Sequence, residues 1–274
     1  IIATPPNARA DIVAALVQAG KPILMEKPVE RSLAAATAIV ERCEAANVPL
    51  GIMFQHRMRE ASQKLAQLMA GDALGPLAVA QIDVPWWRDQ SYYDEPGRGT
   101  IAQDGGGVLI TQAIHTLDLA LSLTGPVSQV QATARTSKLH RMEAEDVVAA
   151  GLDFANGAVG TLTATTASFP GGAESITLHC AEASARLQLK ELCVHWRDGR
   201  IETFGEPDKA GGGGADPMAF THAWHQRVIE DFVFALDEGR PPLVTGRAAL
   251  KTQALIEALM ESSLEGRRMK VRNV

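Results

Sequence analysis

Cysteine is scarce: Cys43, Cys180 and Cys193 are odd in number, show no C-x-x-C spacing and lie among apolar neighbours. That argues against a disulfide framework or a thiolate metal site, and predicts buried free thiols in a reducing compartment, the cytoplasm by default. No basic stripe exists either. The 26 Lys and Arg are interspersed with 32 Asp and Glu for a formal charge of -6, so nucleic acid is not expected as a partner. No apolar run approaches the roughly 20 residues that span a bilayer, and no charged n-region with an apolar h-region opens the chain. Also missing is any G-x-G-x-x-G. The tract AGGGGADP at 210–217 lacks a strand-to-helix setting and reads as a surface loop.

What is present is ordinary globular material, 46% hydrophobic and 21% charged over 274 residues. The first 54 residues alternate strand and helix. IIATPP and PILM read as strands, and Asn7 caps a helix with Ile12, Ala15, Leu16 and Ala19 on its inner face, ended by Gly20. Ser32 caps a second helix with Leu33, Ala36, Ile39, Val40 and Cys43 inward, and Asn47 closes it before the strand PLGIMF at 49–54. Such alternation implies right-handed crossovers and a parallel sheet, the C-terminal half of a Rossmann-type doubly wound fold. Because Ile1 opens on an apolar run with no cap or turn, the expectation is a start in mid-fold, with the first half of that sheet upstream.

From residue 55 the pattern changes. A helix near 58–70, the strand LAVAQIDV, a loop rich in Trp, Tyr, Gly and Pro, and a helix over about 106–124 lead into strands at 127–136, 146–154, 157–166, 174–180, 184–190 and 192–196. Turns such as ANG make this a largely antiparallel open sheet, and helices at 219–238 and 246–264 close the chain. The fold class is α/β with two domains: 1–54, a partial dinucleotide-binding domain, and 55–274, an α/β domain on the open sheet.

Ligands of open parallel sheets bind at the carboxyl ends of the strands. Thr4-Pro5 and Glu26-Lys27-Pro28 stand at two such ends, one crossover apart. In the helix GGGVLITQAIHTLDLALSLTG, Thr111, His115, Asp118 and Ser122 recur at i, i+4, i+7 and i+11 on one face of an otherwise apolar cylinder. That stripe needs water, a polar partner or a ligand. Either His115 is a core histidine partnered by Asp118 or it belongs to a site; the three glycines before it permit close approach of a ligand or another segment.

These stretches, AGKPILMEKPVERS, the WWRDQSYYDEPGRGT loop, the GGGxLxxxxIHTLDL helix and EGRPPLVTGRAAL, resemble the Gfo/Idh/MocA family of NAD(P)-dependent oxidoreductases over essentially the whole chain. The resemblance implies hydride transfer between NAD or NADP and the CH-OH group of a sugar-like or polyol substrate, in a cytoplasmic homo-oligomer with neither membrane nor nucleic-acid partner. It implies Lys27 and His115 as catalytic residues, and Thr4, Pro5, Glu26 and Lys27 on the cofactor side. It implies substrate binding and oligomerisation for the domain at 55–274, and no metal. Many members carry Asp four residues before the histidine; Thr111 here cannot ionise, which implies altered substrate handling. Substrate recognition is expected from Arg88, Tyr92, Tyr93, Thr111 and His115. The alternative from another class is a noncatalytic sugar-binding or assembly protein on the same fold. A metal hydrolase using His222 and His225 is a third reading, against ordinary capping and packing of a helix start.

Overall fold

The computed structural model describes residues 1–205 and 221–274. The glycine tract at 210–217 and the first residues of the helix expected over 219–238 lie outside the described residues. Two parallel strands, β1 (Ile23–Glu26) and β2 (Leu50–Met53), pair from Ile23 with Leu50 to Glu26 with Met53. Their apolar runs are continuous because both faces are covered. Between them runs α2 (Leu33–Ala45), begun by Ser32 Oγ accepting from Ala35 N and buried through Leu33, Ala36, Ile39, Val40 and Cys43. The chain leaves through Asn47 at φ 54°, a left-handed conformation that Asn tolerates better than most residues.

The opening segment departs from expectation. Of IIATPP only Ile2 joins the sheet, bridging Met25. Pro5 and Pro6 then favour a 3-10 turn over Pro6–Ala8, so α1 (Ala10–Gln18) starts behind Arg9 and not at Asn7. The late start shifts the inner stripe to Arg9, Val13, Leu16 and Val17, and leaves Ile12, Ala15 and Ala19 exposed.

The second sheet has nine strands in the spatial order β10 (Ile201–Phe204), β9 (Glu191–Trp196), β8 (Ala183–Gln188), β7 (Ser175–Cys180), β3 (Leu77–Pro85), β6 (Val159–Thr165), β5 (Val147–Phe154), β4 (Val127–Arg135) and β11 (Met269–Lys270). Only the central pair, β3 with β6, is parallel; the others are antiparallel. The short edge strands β10 and β11 were not expected, being polar and too brief for a period-2 signal. Alternation sets the faces: Ala80, Ile82, Val84, Val130, Leu152, Leu162 and Ala164 are buried, while Gln81, Gln131, Thr133, Thr161 and Thr163 point to the exposed side.

Helices α3 (Glu60–Ala70), α5 (Ile114–Thr124) and α7 (Gly246–Glu265) join this sheet in one core with β1 and β2, and a single turn, α4 (Gln90–Tyr93), follows β3. The segment before α7 also reaches the parallel pair, since Ile52 N donates to Val244 O at 3.0 Å and Gly51 bridges Thr245. Thr245 Oγ1 caps α7 from Ala248 N. A further helix, α6 (Ala223–Glu238), lays Val228 and Phe232 against Leu24 and Met53. Among the described residues no helix is long and apolar enough to cross a membrane.

The glycine-led helix does not begin at residue 105. A π-helical turn over Leu109–Ala113 precedes α5, and Gly107 lies so close to the neighbouring chain that a Cβ there would sit 1.7 Å from Glu145 O. Glu145 covers the helix start: its carboxylate accepts from Gly107 N at 3.0 Å and Leu109 N at 3.1 Å, and its carbonyl from Val108 N at 2.8 Å. Of the two uses foreseen for the glycines, Gly107 serves the second, close approach of another segment.

Candidate active site

One cavity of about 850 Å³ opens where the carboxyl ends of the parallel strands face the π-helical turn. The lining includes Thr4, Pro5, Glu26, Lys27, Arg88, Tyr92, Thr111 and His115. Thus eight of the nine positions expected from the sequence converge. Tyr93 is the exception: its hydroxyl meets Thr166 Oγ1 at 2.6 Å and its buried ring packs on His140 and Tyr92. Burial pushes its phenol up to about 12. With its polar atom already satisfied, Tyr93 supports the wall and does not line it.

Lys27 leaves the end of β1 across the cavity, and its Nζ donates to Thr111 O at 2.7 Å. Thr111 therefore acts through its main chain, for its hydroxyl donates to Gly107 O at 2.6 Å and also contacts Gln112 Oε1. π-helical turns recur at functional sites because they re-aim a stretch of helix. Burial lowers the Lys27 ammonium to about 8, against Glu26, which raises it, with the Arg9 charge lowering it further. Arg9 is the strut beneath: its guanidinium donates to the carbonyls of Thr4, Glu26 and Pro28, tying both strand ends together. Thr4 Oγ1 is buried without a hydrogen-bond partner among the described residues.

His115 is buried, stacked on His56 with ring centroids 4.9 Å apart and met edge-on by Phe54 at 5.7 Å. Its Nδ1 has no protein partner among the described residues. Burial first, then the charges of Lys27 and Arg59, hold its pKa well below the usual histidine value, so the ring is neutral near pH 7. Asp118 is not its partner. Asp118 instead takes Arg57 Nε and Nη2 in a two-pronged pair, both at 2.7 Å. Ser122 Oγ donates to Leu119 O.

Behind His115 lies a cluster that the sequence reading missed. Arg59 Nη2 is 2.6 Å from His56 Nε2, Arg59 Nη1 donates to Glu174 Oε1 at 2.7 Å, and Trp86 Nε1 donates to Glu174 Oε2 at 3.2 Å. An arginine only donates, so His56 Nε2 is the acceptor and its proton sits on Nδ1. The signal was available: QHRMR follows β2, the next carboxyl strand end after EKP. His222 and His225 line the same cavity from the start of α6. His222 makes no side-chain cap, contrary to the capping reading.

A lysine lowered to about 8 and a neutral histidine thus face one cavity at the carboxyl edge of the parallel strands, in a two-sheet α/β architecture. Comparison with known proteins fixes the family. Residues 1–54 match the oxidoreductase-family NAD-binding Rossmann fold, and residues 62–186 the GFO/IDH/MocA C-terminal domain. The chain belongs to the Gfo/Idh/MocA family of oxidoreductases. Relatives include a D-apiose dehydrogenase of Paraburkholderia graminis, 29% identical over all of this chain and 72% of that protein. The WlbA dehydrogenase of Bordetella pertussis, solved with NADH and UDP-GlcNAcA, is 27% identical with a TM-score of 0.82, covering 98% of this chain and 78% of that one. A levoglucosan dehydrogenase solved with NADH and L-sorbose is 25% identical with a TM-score of 0.84, covering 100% of this chain and 79% of that one.

Proposed function

We propose that this chain serves an NAD- or NADP-dependent dehydrogenase acting on the CH-OH group of a sugar-like or polyol substrate, with Lys27 as the proton-transfer group and residues 1–54 and 55–274 as its cofactor and substrate sides. The observation that carries the reading is Lys27 Nζ: held at 2.7 Å from Thr111 O, inside the cavity, and lowered to about 8. The similarity to a D-apiose dehydrogenase and to a levoglucosan dehydrogenase solved with NADH and L-sorbose adds support. The residues present suit the nicotinamide end of such a cofactor, because Thr4 Oγ1 is buried and unpartnered at the strand edge and Glu26 stands beside it on the cavity. When bound, a nicotinamide supplies the hydride acceptor.

The chain's own residues handle the proton. With one N–H given to Thr111 O, a neutral Lys27 amine turns its lone pair to the substrate hydroxyl and takes that proton as the carbonyl forms. Neutral His115 offers Nδ1 to the same oxygen and orients it without competing for charge. Thr4, Pro5 and Glu26 form the cofactor wall, and Arg88, Tyr92 and Thr111 the substrate wall. The test is reduction of NAD and NADP with a panel of sugars and polyols by wild type and Lys27→Ala. Turnover should fall by about 10²–10⁴ in the variant while cofactor affinity changes less than about threefold. Undiminished turnover in Lys27→Ala sinks the proposal.

A further inference from the structure

The cationic residues around the cavity are not equivalent. Arg59 has Glu174 at 2.7 Å, Arg98 has Glu95 at 3.6 Å, and Arg9 is consumed by three backbone carbonyls. Arg88 is different. It is 7% exposed, yet among the described residues its one side-chain hydrogen bond is Nη1 to the carbonyl of its neighbour Trp87, at 3.0 Å. Among the described residues its Nε is buried with no partner, and no carboxylate forms an ion pair with it. The guanidinium lies 5.5 Å from the ring centres of both Trp86 and Tyr92. Burial lowers its pKa, and the Tyr92 and Tyr93 phenols act against that shift without cancelling it.

The site is also built. Arg88 N donates to Thr166 O at 2.9 Å, and His140 Nε2 lies 2.9 Å from Arg88 O while its Nδ1 lies 2.7 Å from Asp146 Oδ2. The main chain of Arg88 is thus held from two directions. A buried cation without a counter-charge is costly, and folds retain one where a ligand completes it. Lys27 lines the same cavity, as do Glu26, Asp104 and the paired Arg98 and Glu95, so Arg88 is a cation of the substrate side that none of these carboxylates pairs. A guanidinium with free N–H groups matches the two oxygens of a carboxylate better than it matches a lone hydroxyl.

We propose that Arg88 reads a carboxylate on the substrate, so that the preferred substrate class is a sugar acid, uronate or aldonate, and not a neutral sugar. This rests on the dehydrogenase reading above and adds the charge of the substrate to it. Bound, the carboxylate takes the Arg88 guanidinium as its counter-ion and places the carbinol at Lys27 and His115.

The probes are D-glucose, D-glucuronate, D-gluconate and D-glucose 6-phosphate, each followed by nicotinamide reduction and, with cofactor present, by calorimetric binding. Wild type should favour glucuronate or gluconate over glucose by about 10–100-fold in kcat/KM, the range expected for one charge-assisted pair. In Arg88→Met that ratio should collapse at least tenfold, mainly through KM, and calorimetric affinity for the acid should weaken in parallel. Arg88→Lys, which keeps the charge without the fork, should fall between them, and its melting temperature shows whether the wall survives. Preference for glucose, an unchanged ratio in Arg88→Met, or a preference confined to the phosphate would each overturn the carboxylate assignment. Glucose oxidation that depends on Lys27 but shows no acid preference would overturn this inference and leave the dehydrogenase reading standing; acid binding that depends on Arg88 with no nicotinamide reduction by any probe would do the reverse.

Discussion

Lys27 and His115 owe their proposed chemistry to one cause, removal from water, which acts on both in the same direction. For Lys27 it brings an ammonium down to about 8, within reach of a working base. For His115 it keeps the ring neutral, so the histidine is assigned to orienting oxygen and Lys27 to moving the proton. His115→Asn should therefore lower kcat by about 10–100-fold while leaving the pH midpoint near that of Lys27. A midpoint displaced by a full unit in that variant would transfer the proton-carrying role to His115. At this scale the sequence was most legible where chemistry and backbone coincide: EKP announced Lys27 by its charge and proline at a strand end. Tyr93 was misplaced because a paired Tyr-Tyr gives no sign of which ring finds Thr166. The His56, Arg59 and Glu174 cluster stayed hidden because Glu174 lies 115 residues from Arg59 in the chain.

The decisive element is the glycine-led helix, whose start is fixed by Glu145 and whose π-helical turn presents Thr111 O to Lys27. Its polar stripe looked like one face. It serves two purposes: Thr111 and His115 line the cavity, while Asp118, three residues beyond His115 in regular α-helix, is held in the core by Arg57. Asp118→Ala should strand Arg57 and cost about 3–5 kcal/mol, measured by urea unfolding. Loss of less than about 1 kcal/mol would mean that the pair is not structural. Gly107→Ala should displace the same helix, since the new methyl would meet Glu145 O, and should lower turnover as well as stability. Helical periodicity assumes 3.6 residues per turn, so a local π-helical turn is invisible to it. Strand content in the second sheet was easier to read, because alternation and turn residues mark each hairpin locally. The parallel pairing of β3 with β6 and the edge strands were not, as both depend on partners distant in sequence.

Over the whole molecule, the cavity and the core are continuous: α7 returns from the C-terminal segment to bury residues against α2 and the large sheet, and Val244 bonds β2. Residues on either side of position 54 share one hydrophobic core. Buried neutral histidines set an acid limit on this arrangement. His56 and His115 have folded pKa values well below 6.5, so as pH falls through 6.5 the unfolded chain takes up protons that the folded one refuses. Folded stability must decline over that window. Thermal melts from pH 7.5 to 5.5 should show the decline, and His115→Asn should show a shallower one; equal slopes would indicate that His115 does not stay neutral when folded.

The central claim is that Lys27, as a neutral amine, accepts the substrate proton. It is tested most directly by the pH dependence of kcat/KM for alcohol oxidation with the best substrate of the panel. The account predicts a limb that climbs about tenfold per pH unit and levels off near pH 8, where Lys27 loses its proton. A rate independent of pH between about 6 and 10, or one that falls as pH rises through 8, would contradict it.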